Sequence, residues 1–303
     1  MLKIDFKNTP VNFFKIALFS KQKKISNYDI LKQAYDQGVL FDDKKKLLLD
    51  FVNYFKNFNN EFKSQLFQDI FASFIVRDNF DKTFLEFGAT DGIDLSNTFT
   101  LENDLSWSGA LAEPDINWID SLKKNRPNSK IITKCIWKNS GEKLNFYSSD
   151  VGVLSSLEDF KNSDIKSMPD NTAQRIKSGK NIEVETISLN QVIEEEFNDI
   201  SPSYISIDTE GSEFEILNSF NFSRYQPAVF TIEHNFTDLQ KKIDELMFKN
   251  DYSRIFNNLT TFDASYTKFP DPHPASSILS PRVVIGTKST CSILCSASRA
   301  ALT

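Results

Sequence analysis

Carboxylates stand at the ends of four apolar stretches of this chain, and they are the residues whose type and spacing could do chemistry. The residues at the four ends are Glu86, Glu113, Asp208 with Glu210, and Glu233 with His234. If the stretches are parallel strands, their carboxyl ends meet at one edge of a sheet, where ligands bind in open α/β folds. Carboxylates brought close together take up a proton at a raised pKa or hold a divalent metal ion. The pattern therefore predicts a site for acid–base or metal-assisted chemistry.

The first of these stretches continues into a glycine turn, Thr83–Gly92, with the pattern E-x-G-x-x-x-G. Glycine is scarce, with 9 in 303 residues, so the pair Gly88 and Gly92 indicates a backbone that another group approaches closely. The dinucleotide fingerprint G-x-G-x-x-G is absent from the sequence. An acid before the turn would repel pyrophosphate, whereas it can orient the ammonium group of S-adenosylmethionine. We therefore predict a site for that cofactor, with a simple strand-to-helix turn as the alternative.

The other strand-end residues have two interpretations each. Glu113 lies about twenty residues beyond the glycine turn, where an acid can accept hydrogen bonds from both ribose hydroxyls; a solvated acid is the alternative. Asp208 and Glu210 can act as a general base or hold a metal ion. His234 can also take a proton, although a single histidine on a strand end is more often structural.

From Thr83 onward the predicted strands and helices alternate, which is typical of a mostly parallel sheet covered on both faces. The predicted strands are 83–87, 109–112, 130–137, 143–147, 182–186, 204–207, 229–232, 252–256 and 261–267. Residues 148–180 are polar and irregular, as in a functional lid or a mobile loop. Upstream, the apolar periodicity predicts helices over 29–37, 44–58 and 64–76. Gln65, Gln68 and Asp69 in the third of these helices could line the cleft.

Composition divides the chain into parts and excludes several classes of function. We expect a helical cap in residues 1–60, the main domain in 61–270 and a disordered tail in 271–303, because Phe, Asn, Asp and Glu are all missing after residue 271. The net charge of −6 and the pI near 5.2 argue against nucleic acid as a partner. No apolar run reaches the roughly 18 residues that span a membrane. Three cysteines without disulfide or zinc-finger spacing indicate a cytoplasmic protein, and the oligomeric state stays open.

Seven segments of the chain together resemble the FkbM family of S-adenosylmethionine-dependent methyltransferases. In chain order they are 64–69, 84–92, 95–98, 107–114, 205–213, 231–235 and 258–263. Among them, Phe84–Gly92 reads FLEFGATDG and Ile205–Glu213 reads ISIDTEGSE. The resemblance covers residues 61–268 in the family's order and leaves out the N-terminal helices and the tail.

This resemblance implies a fold, a reaction and a set of cofactor positions. The fold is a Rossmann-like class I methyltransferase sheet of seven strands, mostly parallel with one antiparallel, here with an N-terminal helical extension. The reaction is O-methyl transfer to a hydroxyl of a sugar, glycan or natural product. The cofactor positions carried over are Glu86, Gly88, Asp91, Gly92, Glu113 and Asp208. Thr90 departs from the family, in which many members have Asn, and its shorter side chain is expected to weaken a cofactor contact.

The resemblance establishes no catalytic base, so the proton acceptor has to be sought among the residues themselves. We consider His234 and the pair Asp208 and Glu210, and the pair could act together with a divalent ion that lowers the hydroxyl pKa. A different class of function is a partner module that binds S-adenosylmethionine without catalysis. NAD-linked oxidoreduction is disfavoured because the dinucleotide fingerprint is missing. The expected partner is a small-molecule or glycan acceptor.

Overall fold

In the computed structural model, which describes residues 12–58, 62–77, 80–149 and 152–268, the strands form two sheets. In chain order they are β1 (Thr83–Phe87), β2 (Ser108–Ala112), β3 (Lys130–Ile132), β4 (Cys135–Trp137), β5 (Lys143–Ser148), β6 (Ser156–Leu157), β7 (Lys180–Ser188), β8 (Tyr204–Ile207), β9 (Val229–Glu233), β10 (Ser253–Ile255) and β11 (Asp263–Thr267). The main sheet has seven strands in the order β10-β11-β9-β8-β1-β2-β3. The smaller sheet has the order β4-β7-β5-β6.

The main sheet has the strand directions that the sequence predicts. β1, β2, β3, β8 and β9 are parallel, β11 is antiparallel to β9, and β10 is antiparallel to β11. The prediction of a mostly parallel seven-stranded sheet with an antiparallel strand near one edge is confirmed. β1 has β2 on one side and β8 on the other, so the strand order reverses at β1. In open α/β sheets such a reversal opens a crevice at the carboxyl ends of the strands.

The helices of the described residues surround these sheets. In chain order they are α1 (Phe13–Lys23), α2 (Asn27–Asp36), α3 (Lys45–Tyr54), α4 (Gln68–Val76), α5 (Phe99–Leu105), α6 (Ile116–Asn125), α7 (Pro169–Ser178), α8 (Leu189–Glu196), α9 (Glu213–Asn218) and α10 (Leu239–Lys249). The helices predicted over 29–37, 44–58 and 64–76 correspond to α2, α3 and α4, whereas the sequence predicts neither α1 nor α7. The side chain of Asn12 caps α1 by accepting a hydrogen bond from the Lys15 N–H at 2.9 Å, which is a favoured use of Asn.

The N-terminal helices share one core with the main sheet. The rings of Phe13 in α1, Phe51 in α3 and Phe256 after β10 pack with centroids 5.3 to 6.0 Å apart. Phe84 of β1 belongs to the same buried cluster. The Phe13 N–H also donates to the Leu259 carbonyl at 2.9 Å. The helical extension is therefore held by the part of the chain that precedes β11.

Two predictions about the chain between β2 and β7 need correction. The predicted strand 130–137 is two strands, because β3 pairs with β2 whereas β4 pairs with β7 of the smaller sheet. The residues between them, Thr133 and Lys134, continue the strand-like pattern, so nothing in the sequence marks the break. Residues 148–180, expected to be irregular, contain β6 and α7. Pro169 lies at the start of α7, a position that favours proline.

Three points concern the limits of the domain. No helix among the described residues is long and apolar enough to cross a membrane. The boundary at residue 60 between the helical cap and the main domain remains a prediction. The tail predicted for residues 271–303 lies outside the residues that the structure describes.

Candidate active site

A cavity of about 380 Å³ opens at the carboxyl ends of β1, β2, β8 and β9. Five of the strand-end acids line it, namely Glu86, Glu113, Asp208, Glu210 and Glu233. The structure therefore brings together the carboxylates that the strand pattern places at one edge of the sheet. We call the wall formed at the ends of β1 and β2 the β1–β2 side, and the wall formed at the ends of β8 and β9 the β8–β9 side.

Glu86 is buried on the β1–β2 side and holds the chain that follows the glycine turn. Its Oε1 accepts a hydrogen bond from the Asn97 N–H at 2.7 Å. Its Oε2 accepts from the Ser96 hydroxyl at 3.0 Å and from the Thr98 hydroxyl. Burial raises the pKa of the Glu86 carboxyl, and the charge of Arg126 opposes that rise. Through these hydrogen bonds Glu86 holds the chain after the turn in place. Its contact with a cofactor remains a prediction.

Arg126 is a buried cation behind the β1–β2 side that the sequence analysis did not single out. Its side chain is 2% exposed and forms an ion pair with Glu102 at 2.5 Å. Its Nη1 donates to the Gly92 carbonyl at 3.0 Å and to the Ser96 hydroxyl at 3.2 Å. Arg126 therefore anchors both ends of the loop that leads from the glycine turn to α5.

The two glycines of the turn are required by packing within the protein. Both have positive φ, +73° at Gly88 and +79° at Gly92. A β-carbon on Gly88 would overlap the backbone carbonyl of Asp208, and one on Gly92 would lie 2.6 Å from side-chain atoms of Leu122 and Arg126. Gly88 also lines the cavity, but Gly92 does not. At both glycines, the group that comes close to the backbone belongs to the protein itself. Of the two, only Gly88 also lines the cavity, where a ligand can reach it.

Asp91, another predicted cofactor position, shapes the turn and lies outside the cavity wall. Its Oδ1 accepts hydrogen bonds from the N–H groups of Ile93 at 2.8 Å and Asp94 at 2.9 Å. This is the local backbone contact that makes Asp common in turns. The placement gives no support to a direct cofactor contact for Asp91 or Gly92.

Glu113 completes the β1–β2 side with a carboxylate that is buried yet has spare hydrogen-bonding capacity. Its Oε2 accepts from the Thr90 N–H at 2.9 Å and its Oε1 from the Asp115 N–H at 2.8 Å. A carboxylate has about four lone-pair sites, so each oxygen can accept one more hydrogen bond from the cavity. Burial raises the pKa of Glu113 to about 7.

Three carboxylates meet on the β8–β9 side. One oxygen from each of Asp208, Glu210 and Glu233 lies within 4.8 Å of the others. Burial raises the pKa of Asp208 to about 7. Burial and the charges of Asp208 and Glu210 raise the pKa of Glu233 further above its usual range. The hydrogen bond between Asp208 and Glu233 lets the two carboxyls share one proton, so that one of them can be ionised beside the other in its protonated form.

Glu210 is held by a buried ion pair that the sequence analysis missed. The guanidinium of Arg175 in α7 is 0% exposed and donates to Glu210 Oε2 at 2.7 Å and to Asp164 Oδ1 at 2.8 Å. Its Nε donates to the Leu154 carbonyl at 2.6 Å. Burial and Asp208 raise the pKa of Glu210, and Arg175 opposes the rise. Arg175 thus ties the segment 152–178 to the β8–β9 side.

Residues far from the strand ends complete the wall. Val153, Met168 and Gln174 come from the segment 152–178, and Phe14 of α1 and Gln65 come from the N-terminal part of the chain. This placement agrees with the expectation that Gln65 lines the cleft. It also brings part of the segment 148–180, expected to be a lid or a loop, to the cavity. Nothing in the sequence marks Phe14 or Arg175, because each reaches the site through long-range packing.

Gln68 and Asp69, which were considered for the cleft, lie outside its wall. The Gln68 side-chain amide donates to Asp263 Oδ2 at 2.8 Å. Asp69 is buried and accepts from the Ser64 hydroxyl at 2.6 Å. Both side chains therefore hold the start of α4 in place.

His234 also lies outside the cavity wall. Its Nδ1 accepts from the Phe236 N–H at 3.1 Å, and its Nε2 lies 3.3 Å from the guanidinium of Arg254. Burial and Arg254 lower the pKa of His234 to about 4. Successive side chains of a strand point to opposite sides, so with Glu233 in the cavity, His234 faces away. This placement gives no support to the hypothesis that His234 takes the acceptor proton.

Three strand ends at the cavity have a non-glycine residue with positive φ. Thr90, Glu210 and Asn235 have φ of +44°, +57° and +43° and all three line the wall. They follow β1, β8 and β9 respectively. Positive φ is unfavourable for a non-glycine residue and is found preferentially at functional sites. The same conformation occurs outside the cavity, at residues such as Lys24, Phe67 and Phe256, so it supports the site only together with the carboxylates.

The cavity residues fit S-adenosylmethionine. The volume falls within the roughly 300 to 1,000 Å³ of small-molecule sites, and Gly88 leaves its backbone accessible. Glu113 can accept from two hydroxyls, as described above. Ile136, Phe146 and Leu157 add an apolar wall suited to a flat ring.

The same edge of the sheet offers ligands for a divalent cation. Carboxylate oxygens are the preferred ligands of Mg²⁺ and Ca²⁺, and Asp208, Glu210 and Glu233 present three within 4.8 Å of one another. One oxygen of Glu210 is already paired with Arg175. A metal ion would therefore share that carboxylate with the arginine.

A comparison with known protein families finds a match, and it includes the acids that line the cavity. The family model described as the methyltransferase FkbM domain matches residues 86–254, which is more than half of the chain. The matched region contains all five strand-end acids of the cavity and the segment 152–178. No curated protein matches this chain.

Several solved methyltransferase structures resemble this one distantly. Precorrin-6y C5,15-methyltransferase from Geobacter metallireducens GS-15 is 10% identical, with a TM-score of 0.34 over 66% of this chain and 86% of that chain. A putative caffeoyl-CoA O-methyltransferase from Staphylococcus aureus is 12% identical, with a TM-score of 0.39 over 84% and 97%. The SAH-bound methyltransferase PaMTH1 from Podospora anserina is 10% identical, with a TM-score of 0.36 over 88% and 98%.

Proposed function

The chain belongs to the methyltransferase FkbM domain family and is an S-adenosylmethionine-dependent methyltransferase; from this premise we propose that it methylates a hydroxyl of a sugar, glycan or natural product. The observation that carries the proposal is the shared cavity. Gly88 and Glu113 lie on its β1–β2 side, and the carboxylates of Asp208 and Glu233 lie on its β8–β9 side. One wall suits the cofactor and the other suits removal of a proton.

The β1–β2 side would hold the cofactor. When bound, S-adenosylmethionine supplies a methyl group that is already activated on its sulfonium. Glu113 would accept hydrogen bonds from the ribose hydroxyls with the lone pairs that the Thr90 and Asp115 N–H groups leave free. Gly88 would give access to the backbone, and Glu86 would keep the turn in place through its hydrogen bonds to residues 96–98.

Asp208 is the proposed general base. It lines the cavity beside Glu233, with which it can share a proton, and a proton held by Glu233 would leave Asp208 ionised. The ionised Asp208 oxygen can then accept the proton of an acceptor hydroxyl. A positioned base contributes about 10² to 10⁴-fold to a rate. Glu210, neutralised by Arg175, would position the acceptor by accepting a hydrogen bond from a second hydroxyl.

The test is methyl transfer by Asp208→Asn, measured with tritium-labelled S-adenosylmethionine and an acceptor found by screening glycosides and hydroxylated natural products. We expect transfer to fall at least a hundredfold while calorimetry shows cofactor affinity within about threefold of wild type. His234→Asn serves as the control and should transfer at nearly the wild-type rate, because the ring lies outside the cavity. A fully active Asp208→Asn, or loss of transfer in the control, would overturn the assignment of the base.

A divalent cation on Asp208, Glu210 and Glu233 is the second role proposed for these carboxylates. The spacing of their oxygens within 4.8 Å favours it. Such an ion would lower the pKa of a bound hydroxyl in place of a base. Transfer that is lost with EDTA and restored by Mg²⁺ or Mn²⁺ would establish this role, and transfer unaffected by EDTA would leave Asp208 as the base.

A further inference from the structure

The wall of the cavity also restricts the chemistry of the acceptor, an inference that rests on the proposed function. We propose that the acceptor is an uncharged hydroxyl compound with an apolar group beside the part that carries the hydroxyl. Three features of the wall lead to this class: its charge, its hydrogen-bonding groups and the composition of its mouth.

Among the described residues, the wall offers no cationic side chain to an anionic acceptor. Among the described residues that line the cavity, six have carboxylates and none is Lys, Arg or His. The nearest arginine on the β8–β9 side, Arg175, is buried behind Glu210 and paired with it. A phosphate, sulfate or carboxylate on the acceptor would lie beside carboxyl groups and find no cationic side chain in the wall, which disfavours binding when no divalent cation is present. Nucleotide-linked and phosphorylated sugars are therefore disfavoured as acceptors.

Side-chain amides in the wall suit an uncharged compound with several hydroxyls. Gln65, Asn171, Gln174 and Asn235 all line the cavity. Each amide has donors as well as an acceptor, so groups of this kind can bind hydroxyls in either direction, although the Asn235 amide already donates to Glu210 Oε2 at 3.3 Å. Together with the carboxylate of Glu210 they provide recognition that does not depend on a charge on the acceptor.

Exposed apolar side chains lie at the mouth of the cavity, beside the exposed polar residues Asp94 and Gln174. Phe14, Leu95 and Val153 line the cavity and are nevertheless 36%, 42% and 41% exposed. They come from three separate parts of the chain, namely α1, the β1–α5 connection and the segment 152–178. Leu95 is held there at a φ of +61°, which is unfavourable for leucine. Three exposed apolar side chains converging on one opening would be covered by an apolar group of the bound acceptor.

Calorimetry on wild-type protein saturated with S-adenosylhomocysteine tests this class with three probes. These are methyl β-D-glucoside, octyl β-D-glucoside below its micelle concentration, and glucose 6-phosphate. We expect the octyl compound to bind at least tenfold more tightly than the methyl compound, since burial of about two methylene groups suffices for that gain. Glucose 6-phosphate should bind at least tenfold more weakly than methyl β-D-glucoside.

Two matched variants locate the effect at the mouth of the cavity. Val153→Ser should reduce the gain of the octyl over the methyl compound by about threefold or more. Ile200→Ser, at a site that is 63% exposed and outside the cavity wall, should leave the gain unchanged. An equal loss in both variants would indicate binding of a detergent to the surface at large and would contradict the proposal.

The outcomes separate this inference from the proposed function. If neither S-adenosylmethionine nor S-adenosylhomocysteine binds, the proposed function fails. If they bind but the octyl compound has no advantage, if glucose 6-phosphate binds as tightly as the glucosides, or if neither glucoside binds, the inference on the acceptor is wrong and the proposed function stands.

Discussion

The two sides of the cavity each depend on one buried arginine, but the two arginines act on different groups. Arg126 lies behind the β1–β2 side and donates to the backbone carbonyl of Gly92 and to the Ser96 hydroxyl. Arg175 lies behind the β8–β9 side and pairs directly with Glu210, whose carboxylate is part of the wall. One arginine fixes the shape of the chain, and the other sets the charge of the wall.

This difference shows how the two sides divide their tasks. On the β1–β2 side, Glu86 and Glu113 accept their hydrogen bonds from residues within 23 positions along the chain. On the β8–β9 side, Glu210 pairs with an arginine 35 positions away along the chain. Asp208 interacts with Glu233, which lies at the end of the neighbouring strand β9. The first side is a locally held loop that can bind a constant ligand. The second side joins distant segments, and changes in those segments can alter what it binds.

Removal of the Arg175 charge should have the largest effect, and it should impair the β8–β9 side while leaving the β1–β2 side functional. In Arg175→Met, Glu210 and Asp164 remain buried without a cation, so we expect a loss of about 3 to 5 kcal/mol in the free energy of unfolding. Methyl transfer should be lost, while calorimetry should show cofactor affinity within about threefold of wild type. Arg224→Met is the control, because its ion pairs are exposed and should contribute less than about 1 kcal/mol.

The double variant Arg175→Met/Glu210→Gln keeps this prediction decisive if the single variant is poorly folded. Neutralising Glu210 removes one of the two buried charges left unpaired, so part of the lost stability should return. A cofactor affinity that falls together with stability in a folded double variant would show that the two sides are not independent.

Gly88→Ala should have the next largest effect, on the β1–β2 side. Its β-carbon would overlap the Asp208 carbonyl, and its φ of +73° is unfavourable for alanine. We expect unfolding in urea to show a loss of about 2 to 4 kcal/mol, together with a large loss of cofactor affinity. Gly141→Ala is a matched control, since Gly141 has a φ of +78° with nothing near the added carbon. It should cost about 1 to 2 kcal/mol, and an equal cost in both variants would disprove the overlap at Gly88.

Cofactor affinity should depend on pH through Glu113. Burial raises its pKa to about 7, and only the ionised carboxylate can accept from both ribose hydroxyls while retaining its two backbone hydrogen bonds. Glu113 must lose its proton to bind, so affinity should rise as pH rises, by about tenfold between pH 6 and pH 8. Calorimetry on Glu113→Gln should show a flat profile. If cofactor affinity still rises with pH in this variant, the group that loses its proton lies on the β8–β9 side, where the pKa of Asp208 is also raised to about 7.

Thr90→Asn should have the smallest effect and the opposite sign. Thr90 has a φ of +44°, where a β-branched residue is strained and Asn is tolerated. We expect the free energy of unfolding to increase by about 0.5 to 1 kcal/mol, measured in urea, without loss of cofactor affinity. A decrease in stability would show that the Thr90 side chain makes a contact in the turn that outweighs its backbone strain.

The sequence predicts the main sheet and the acids of the cavity because both depend on local patterns. β1 and β8 are short apolar runs, as expected for central parallel strands that are buried on both faces. In a parallel sheet the residue that ends each run comes to the same edge. The positions of Glu86, Glu113, Asp208 and Glu233 in one cavity follow from that geometry.

The remaining features of the site depend on packing between distant residues. Arg175 is one of several cations in a polar segment, and only the folded chain places it beside Glu210. The catalytic role considered for His234 did not include strand alternation, which turns the ring away when Glu233 faces the cavity. Gly92 has the backbone conformation expected of it, but the groups that approach it belong to α6. In these cases the residue type is visible in the sequence, whereas the direction of the side chain and its contacts are set by packing between distant residues.

The aromatic core that joins the N-terminal helices to Phe256 and Leu259 has a consequence for synthesis of the protein on the ribosome. α1 to α4 are complete by Val76, but their partner Phe256 emerges about 180 residues later, which takes roughly 10 to 40 seconds at ~5 to 20 residues per second. During that time the rings of Phe13 and Phe51 can pack against each other and against Phe67 and Phe55, but they lack Phe256, the partner that joins them to the chain around β10. The first helices to be made are therefore among the last to reach their final packing.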